Sequence, residues 1–195
     1  MALFGKQRFP ESYQRAVGMG ASEVLHKNSR ELVNILKKHS ILNNQSSVFE
    51  LGSGPARNLY YIYKEFDNNN LFCSDLFRDA SLNSMSSEIK DIVTFFEGDS
   101  QDIIDTVVIP NLDLFLVSDH LMHLQYDKAD HIIKTIIEKW KPPYIMIREL
   151  KKEFETPEHP RLFHNYDQFL TSYDMISNTE SEQTNAYFIW LLKRK

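Results

Sequence analysis

Ser47-Val48-Phe49-Glu50-Leu51-Gly52-Ser53-Gly54-Pro55-Ala56-Arg57-Asn58-Leu59-Tyr60-Tyr61-Ile62-Tyr63 is the stretch on which the fold turns. It opens as a short apolar run over 48–51 and breaks at Gly52-Ser53-Gly54-Pro55. It resumes with Leu59, Ile62, Tyr63 and Phe66 at helical spacing. A strand, a tight glycine turn and a helix N-terminus follow from that order. Glycines let the backbone pass close to a ligand, and the first N–H groups of the helix point at whatever occupies the turn.

The same alternation continues on both sides. Apolar runs at 71–75, 93–99, 112–118 and 144–150 read as four more strands. Helical spacing appears at 21–42, at 127–140 and more weakly at 78–92. The helix at 21–42 is expected to break near Lys27-Asn28-Ser29, with Ser29 capping its second part. Pro142 and Pro143 stop the helix before the fifth strand. A short helix around 166–172 and two strands, 173–178 and 185–193, close the chain. Their short polar link predicts an antiparallel hairpin at the sheet edge. Strands that are apolar runs rather than alternations belong to a parallel sheet covered on both faces. The expected fold is α/β: a doubly wound, mostly parallel seven-stranded sheet with a C-terminal antiparallel hairpin and helices on both faces.

The 195 residues suit one domain, 1–195, with a helical cap or lid segment at 1–44 and the core at 45–195. The net charge of −5 argues against a protein that grips a phosphate backbone, because that grip comes from Lys and Arg clusters. The single cysteine, Cys73, excludes an internal disulfide framework and a cysteine-rich zinc site. The N-terminal residues hold no long apolar segment, so the expectation is a cytoplasmic protein with no membrane partner.

Three acids stand at related places. Glu50 lies just before the glycine turn, Asp75 ends the second strand and Asp99 ends the third. In an open α/β sheet, ligands lie beyond the carboxyl ends of the strands, where the strand order reverses. An acid ending the second strand can accept both ribose hydroxyls of a nucleoside, and Gly98-Asp99-Ser100 can receive an adenine amino group. G-x-G-x-x-G would need glycine where Arg57 stands, and no phosphate loop is present. A nucleoside without phosphates suits these residues better than NAD or ATP.

Glu50-Leu51-Gly52-Ser53-Gly54-Pro55-Ala56-Arg57-Asn58-Leu59 resembles the first motif of the class I S-adenosylmethionine-dependent methyltransferases, an acid followed by G-x-G-x-G. The resemblance continues through Asp75, Gly98-Asp99 and 112–124, and covers residues 45–195. Ala56 departs from it, standing where the family has its third glycine. The family has a Rossmann-like fold and transfers a methyl group from S-adenosylmethionine. By that resemblance Gly52, Gly54 and Asn58 line the methionine part, Asp75 holds the ribose and Leu76 lies against the adenine. Asp99 and Ser100 meet the adenine edge, and Glu50, Ser53, Gly98 and Ser118 complete the cofactor set. His120 and His123 are the general-base candidates, since a histidine titrates near neutral pH; the alternative is that they pack on a short helix. Tyr13 and Met19 from the N-terminal segment, with Arg148 in the fifth strand and His164 beyond it, are the expected substrate residues. No metal is expected. The acceptor implied by size and charge is a small molecule. A cofactor-binding protein without catalysis, or a methyltransferase acting on protein or RNA, are the alternatives.

Overall fold

The computed structural model describes residues 23–151, 164–182 and 186–195. Tyr13 and Met19, with residues 1–22 of the expected cap or lid segment, lie outside the described residues. The chain runs α1 (Glu23–Lys38), β1 (Val48–Leu51), α2 (Arg57–Phe66), β2 (Leu71–Asp75), α3 (Arg78–Ser84), α4 (Ser87–Lys90) and β3 (Thr94–Glu97). It continues with α5 (Ser100–Thr106), β4 (Leu114–Ser118), a 3-10 turn (Leu121–His123), α6 (Tyr126–Thr135) and β5 (Tyr144–Leu150). A 3-10 helix (Tyr166–Thr171) then leads into β6 (Tyr173–Glu180) and β7 (Tyr187–Arg194).

The seven strands lie in the order β3-β2-β1-β4-β5-β7-β6. β1 pairs in parallel with both β2 and β4, Glu50 standing between Cys73 and Leu116. The chain thus winds outward from β1 to β3 and returns to place β4 on the other side of β1. That reversal opens a crevice at the carboxyl ends of β1 and β4. β7 lies antiparallel against β5 and β6 is the edge strand, so the hairpin has the expected pairing.

Side chains of the central strands alternate between two cores. Val48, Leu114 and Leu116 face α1 and α2, packing on Leu32, Leu36, Leu59 and Ile62. Phe49, Phe115 and Val117 face α5 and α6, packing on Ile104, Ile132 and Ile133. Helices therefore cover both faces, which is why these strands are apolar throughout. Alternation puts Glu50 on the α1/α2 side with Val48. After α6 the helix widens into a π-turn (Ile136–Trp140), and Trp140 packs on Phe49 and Phe115.

Two local expectations change. α1 is one continuous helix, so Ser29 is an interior residue and not an N-cap. Helix α5 was not expected, because only Ile103 and Ile104 among its seven residues are apolar and buried. Asp99 starts it, its side chain accepting the N–H of Gln101 at 2.9 Å. Among the described residues no helix is long and apolar enough to cross a membrane.

Candidate functional site

The crevice brings the glycine turn after β1 against the loop after β4. Gly52 has φ +66°, and a Cβ placed on it would lie 2.1 Å from His120 Nδ1. The backbone there is in the left-handed region, and the His120 ring rests on it. Ala56, the residue before α2, also has positive φ, +54°. Glycine would sit there freely, whereas an L-residue in that region carries a strain of roughly 1 kcal/mol. The departure at Ala56 therefore falls at a position whose conformation favours glycine.

The acids around the turn play different parts. Asp75 ties the turn to the end of β2: Gly54 N–H donates to Oδ2 at 2.9 Å and Phe77 N–H to Oδ1 at 3.2 Å. Burial raises the proton affinity of Asp75, and those backbone donors oppose the rise. Glu50 is 2% exposed. Asn58 Nδ2 donates to its Oε1 at 2.6 Å, and Oε2 is buried with no partner. Burial pushes Glu50 up to about 8, against the opposing bond from Asn58 and the charge of Arg57.

Stability should depend on pH for this reason. A carboxyl whose proton affinity is raised by folding stabilises the fold fully below its unfolded pKa, and the contribution is lost as the pH rises through the folded pKa. For Glu50 the window runs from 4.5 to about 8. Glutamine ionises in neither state. Denaturation profiles of Glu50→Gln are expected to lose less stability than the wild type across that window. The difference should widen by on the order of 4 kcal/mol, since a tenfold change in proton affinity is worth about 1.4 kcal/mol. Parallel pH profiles would contradict it.

The loop after β4 is held from β5. Glu149 is fully buried and its Oε1 accepts the N–H groups of His120 at 3.0 Å and Leu121 at 2.8 Å. Its Oε2 accepts that of Met122 at 3.2 Å. Asp119, at φ +55°, receives the Arg148 guanidinium. Arg148 is 2% exposed and lies over the Tyr187 ring at 4.2 Å. This corrects the expected substrate contact of Arg148: its charge is committed to Asp119 inside the protein. His164, also buried, shares a 2.7 Å hydrogen bond between its Nε2 and the Leu121 carbonyl. It lines a hollow of about 320 Å³ with Tyr126, Asp127, Asp130 and Gln168, next to the loop that carries His120.

His120 Nε2 and Ser100 Oγ share a hydrogen bond of 2.6 Å. Withdrawal from water, then the charges of His123 and Lys128, lower the proton affinity of His120 to about 3. A ring so placed is a weak base near neutral pH in this conformation. His123 sits half-buried on the 3-10 turn. The Asp99 carboxylate is used twice, as the cap of α5 and in an ion pair with Lys128. Those two bonds hold the Asp99 carboxylate at the start of α5, and its side chain stays partly exposed. Leu76 is 46% exposed beside Asp75, Gly98 N–H donates to the Asp75 carbonyl at 3.1 Å, and Ser53 N–H donates to the Ser74 carbonyl at 2.9 Å. Ser118 ends β4 half-buried. Among the described residues no group of three metal-ligating side chains gathers.

Ser29 and the anchoring role of Glu149 escaped the sequence reading. A signal for Glu149 existed: an acid inside the otherwise apolar run 144–150. Ser29 carried only the signal of a helix cap, which pointed elsewhere.

No family model matches the sequence, and no curated protein does. Solved structures do. A SAM-dependent methyltransferase from Aquifex aeolicus superimposes with a TM-score of 0.67 at 13% identity, over 96% of this chain and 100% of that one. Magnesium protoporphyrin IX methyltransferase (ChlM) from Synechocystis PCC 6803, with bound SAH, gives 0.66 at 13% identity over 98% and 90%. The small RNA methyltransferase HEN1 gives 0.61 at 16% identity, over 86% of this chain and 25% of that one. The chain has the Rossmann-like fold of the class I S-adenosylmethionine-dependent methyltransferases.

Proposed function

We propose that this protein binds S-adenosylmethionine and transfers its methyl group to oxygen or nitrogen of a small-molecule acceptor. The observation that carries the reading is Glu50 Oε2, a buried carboxyl oxygen with no partner, two residues before a turn that leaves no room for a Cβ at Gly52. An unsatisfied buried polar atom costs about 1–3 kcal/mol, which a cationic amino group would recover while drawing the carboxyl into its ionised form. The neighbours in fold support the same ligand, ChlM having been solved with SAH.

Bound S-adenosylmethionine supplies a methyl group on a sulfonium, an electrophile that needs no further activation. Glu50 would hold the amino end, with Asn58 beside it. Gly52, Ser53 and Gly54 let the backbone approach. Asp75 would take the ribose hydroxyls on the lone pairs its two N–H bonds leave free. Leu76 offers an apolar face to adenine, and Gly98 and Ser100 border its edge. Ser118 and the loop at 119–123 border the reacting centre, where orientation and exclusion of water do most of the work. His120 and His123 are the candidates to take a proton from an acceptor, His120 once its ring has left Gly52.

The net charge of −5 favours a small acceptor over RNA. ChlM and HEN1, by their names, represent both acceptor types on this fold. Calorimetry with S-adenosylmethionine and S-adenosylhomocysteine tests the shared claim: if neither binds, the reading fails. Release of S-adenosylhomocysteine with small alcohols and amines, set beside RNA, then tests the acceptor. Binding without turnover on any acceptor favours the non-catalytic alternative.

The cofactor fits once the His120 ring leaves Gly52. Displacing it costs its hydrogen bond to Ser100, about 0.5–1.5 kcal/mol. His120→Ala is therefore expected to bind S-adenosylhomocysteine about 2- to 10-fold more tightly than the wild type. Equal or weaker binding would show that the ring contributes to the site instead of filling it.

A further inference from the structure

Ser29 is fully buried in the middle of α1, outside every sequence motif for a ligand. Its Oγ donates to Asn58 Oδ1 at 2.6 Å and receives Arg57 Nε at 3.1 Å. Asn58 in turn donates to Glu50 Oε1 at 2.6 Å. A chain of hydrogen bonds thus runs from α1 through α2 to β1.

A serine hydroxyl has one proton to give. The Leu25 carbonyl, at 3.4 Å, is the more distant acceptor, so Asn58 takes it. That choice sets the direction of the Asn58 amide. With Oδ1 towards Ser29, the NH₂ faces Glu50. The reversed amide would put an acceptor against Glu50 Oε1 and a donor against Ser29 Oγ, whose proton would then turn to the more distant Leu25 carbonyl. A hydroxyl on α1 therefore favours the amide direction that satisfies Glu50 Oε1 and leaves Oε2 for a ligand.

We propose that Ser29 is a positioning residue for the amino-acid end of S-adenosylmethionine, acting through Asn58 to hold Glu50 with Oε2 unpartnered. The proposal rests on the cofactor reading above. α1 itself does not depend on this hydroxyl. Leu32 and Leu36 bury its apolar face, and Glu31 accepts Ser181 Oγ at 2.8 Å and Glu182 N–H at 2.7 Å from the β6–β7 connection. Loss of the hydroxyl should therefore leave the helix docked.

The test compares two ligands that share the adenosine part. S-adenosylhomocysteine carries the amino-acid end, and 5′-methylthioadenosine lacks it. Ser29→Ala is expected to weaken S-adenosylhomocysteine by about tenfold, the size of one hydrogen bond to a charged group, and to leave methylthioadenosine within about twofold. Ser29→Thr keeps the hydroxyl and should restore the wild-type ratio of the two affinities. If Ser29→Ala weakens both ligands equally, or neither, Ser29 does not act through Glu50 and the proposal is overturned. If the wild-type protein binds neither ligand, the cofactor reading itself fails, an outcome distinct from an unmoved ratio.

Discussion

Glu149→Ala is expected to destabilise the protein by about 3–5 kcal/mol, measured by chemical denaturation near neutral pH. The carboxylate is fully buried and both oxygens are used. The three N–H groups it accepts, from His120, Leu121 and Met122, are the donors that a 3-10 turn leaves over at its start. The turn's own bonds begin later, at His123 N–H to the His120 carbonyl. Alanine would leave two buried donors and a part-buried one with no acceptor, and each buried one costs about 1–3 kcal/mol. Glutamine separates charge from shape. Its carbonyl oxygen can accept two of the three donors, but its NH₂ would face the third. Glu149→Gln should therefore fall between, at about 1–3 kcal/mol. A loss below about 1 kcal/mol for Glu149→Ala would mean that water replaces the carboxylate and that the loop after β4 is not held from β5.

The fold was legible because its determinants are local. Val48-Phe49 and Leu114-Phe115-Leu116-Val117 are apolar on both faces, and only a parallel sheet covered by helices on both sides asks for that. Gly52 and Asp75 were legible for the same reason, since each sits at the end of a strand that could be read. What the sequence concealed depends on contacts between elements. Ser29 meets Asn58, His120 meets Glu149 and Arg148 meets Asp119 at separations of 29 residues. The first pairing exists because α1 packs on α2 and the other two because β5 lies beside β4, and no periodicity encodes them. Arg148 shows the cost of reading residues singly: a cation near the end of a strand looks like a substrate contact until an aspartate in left-handed conformation is found beside it. Asp99 shows the same for an acid whose nearer duty is to cap α5.

For Asp75→Ala the expected result is a loss of S-adenosylhomocysteine affinity of about 1.5–3 kcal/mol, roughly 10- to 150-fold, the range for hydrogen bonds to a charged group. The loss has two sources. The direct one is the ribose, whose hydroxyls would donate to the carboxylate. The indirect one is the glycine turn, which Asp75 Oδ2 holds through Gly54 N–H while Oδ1 holds Phe77 N–H at the exit of β2. Asp75→Asn divides them, because an asparagine oxygen still accepts one backbone N–H but the charge is gone; it should lose roughly half as much. Methylthioadenosine supplies the control. It keeps the ribose, so Asp75→Ala should weaken it by the direct, ribose part of the loss, whereas Ser29→Ala should spare it. Two substitutions on opposite sides of Gly52 are thus expected to give opposite ligand patterns. A folded Asp75→Ala protein that binds S-adenosylhomocysteine as the wild type does would remove the ribose from Asp75, even if the glycine turn still receives the methionine end.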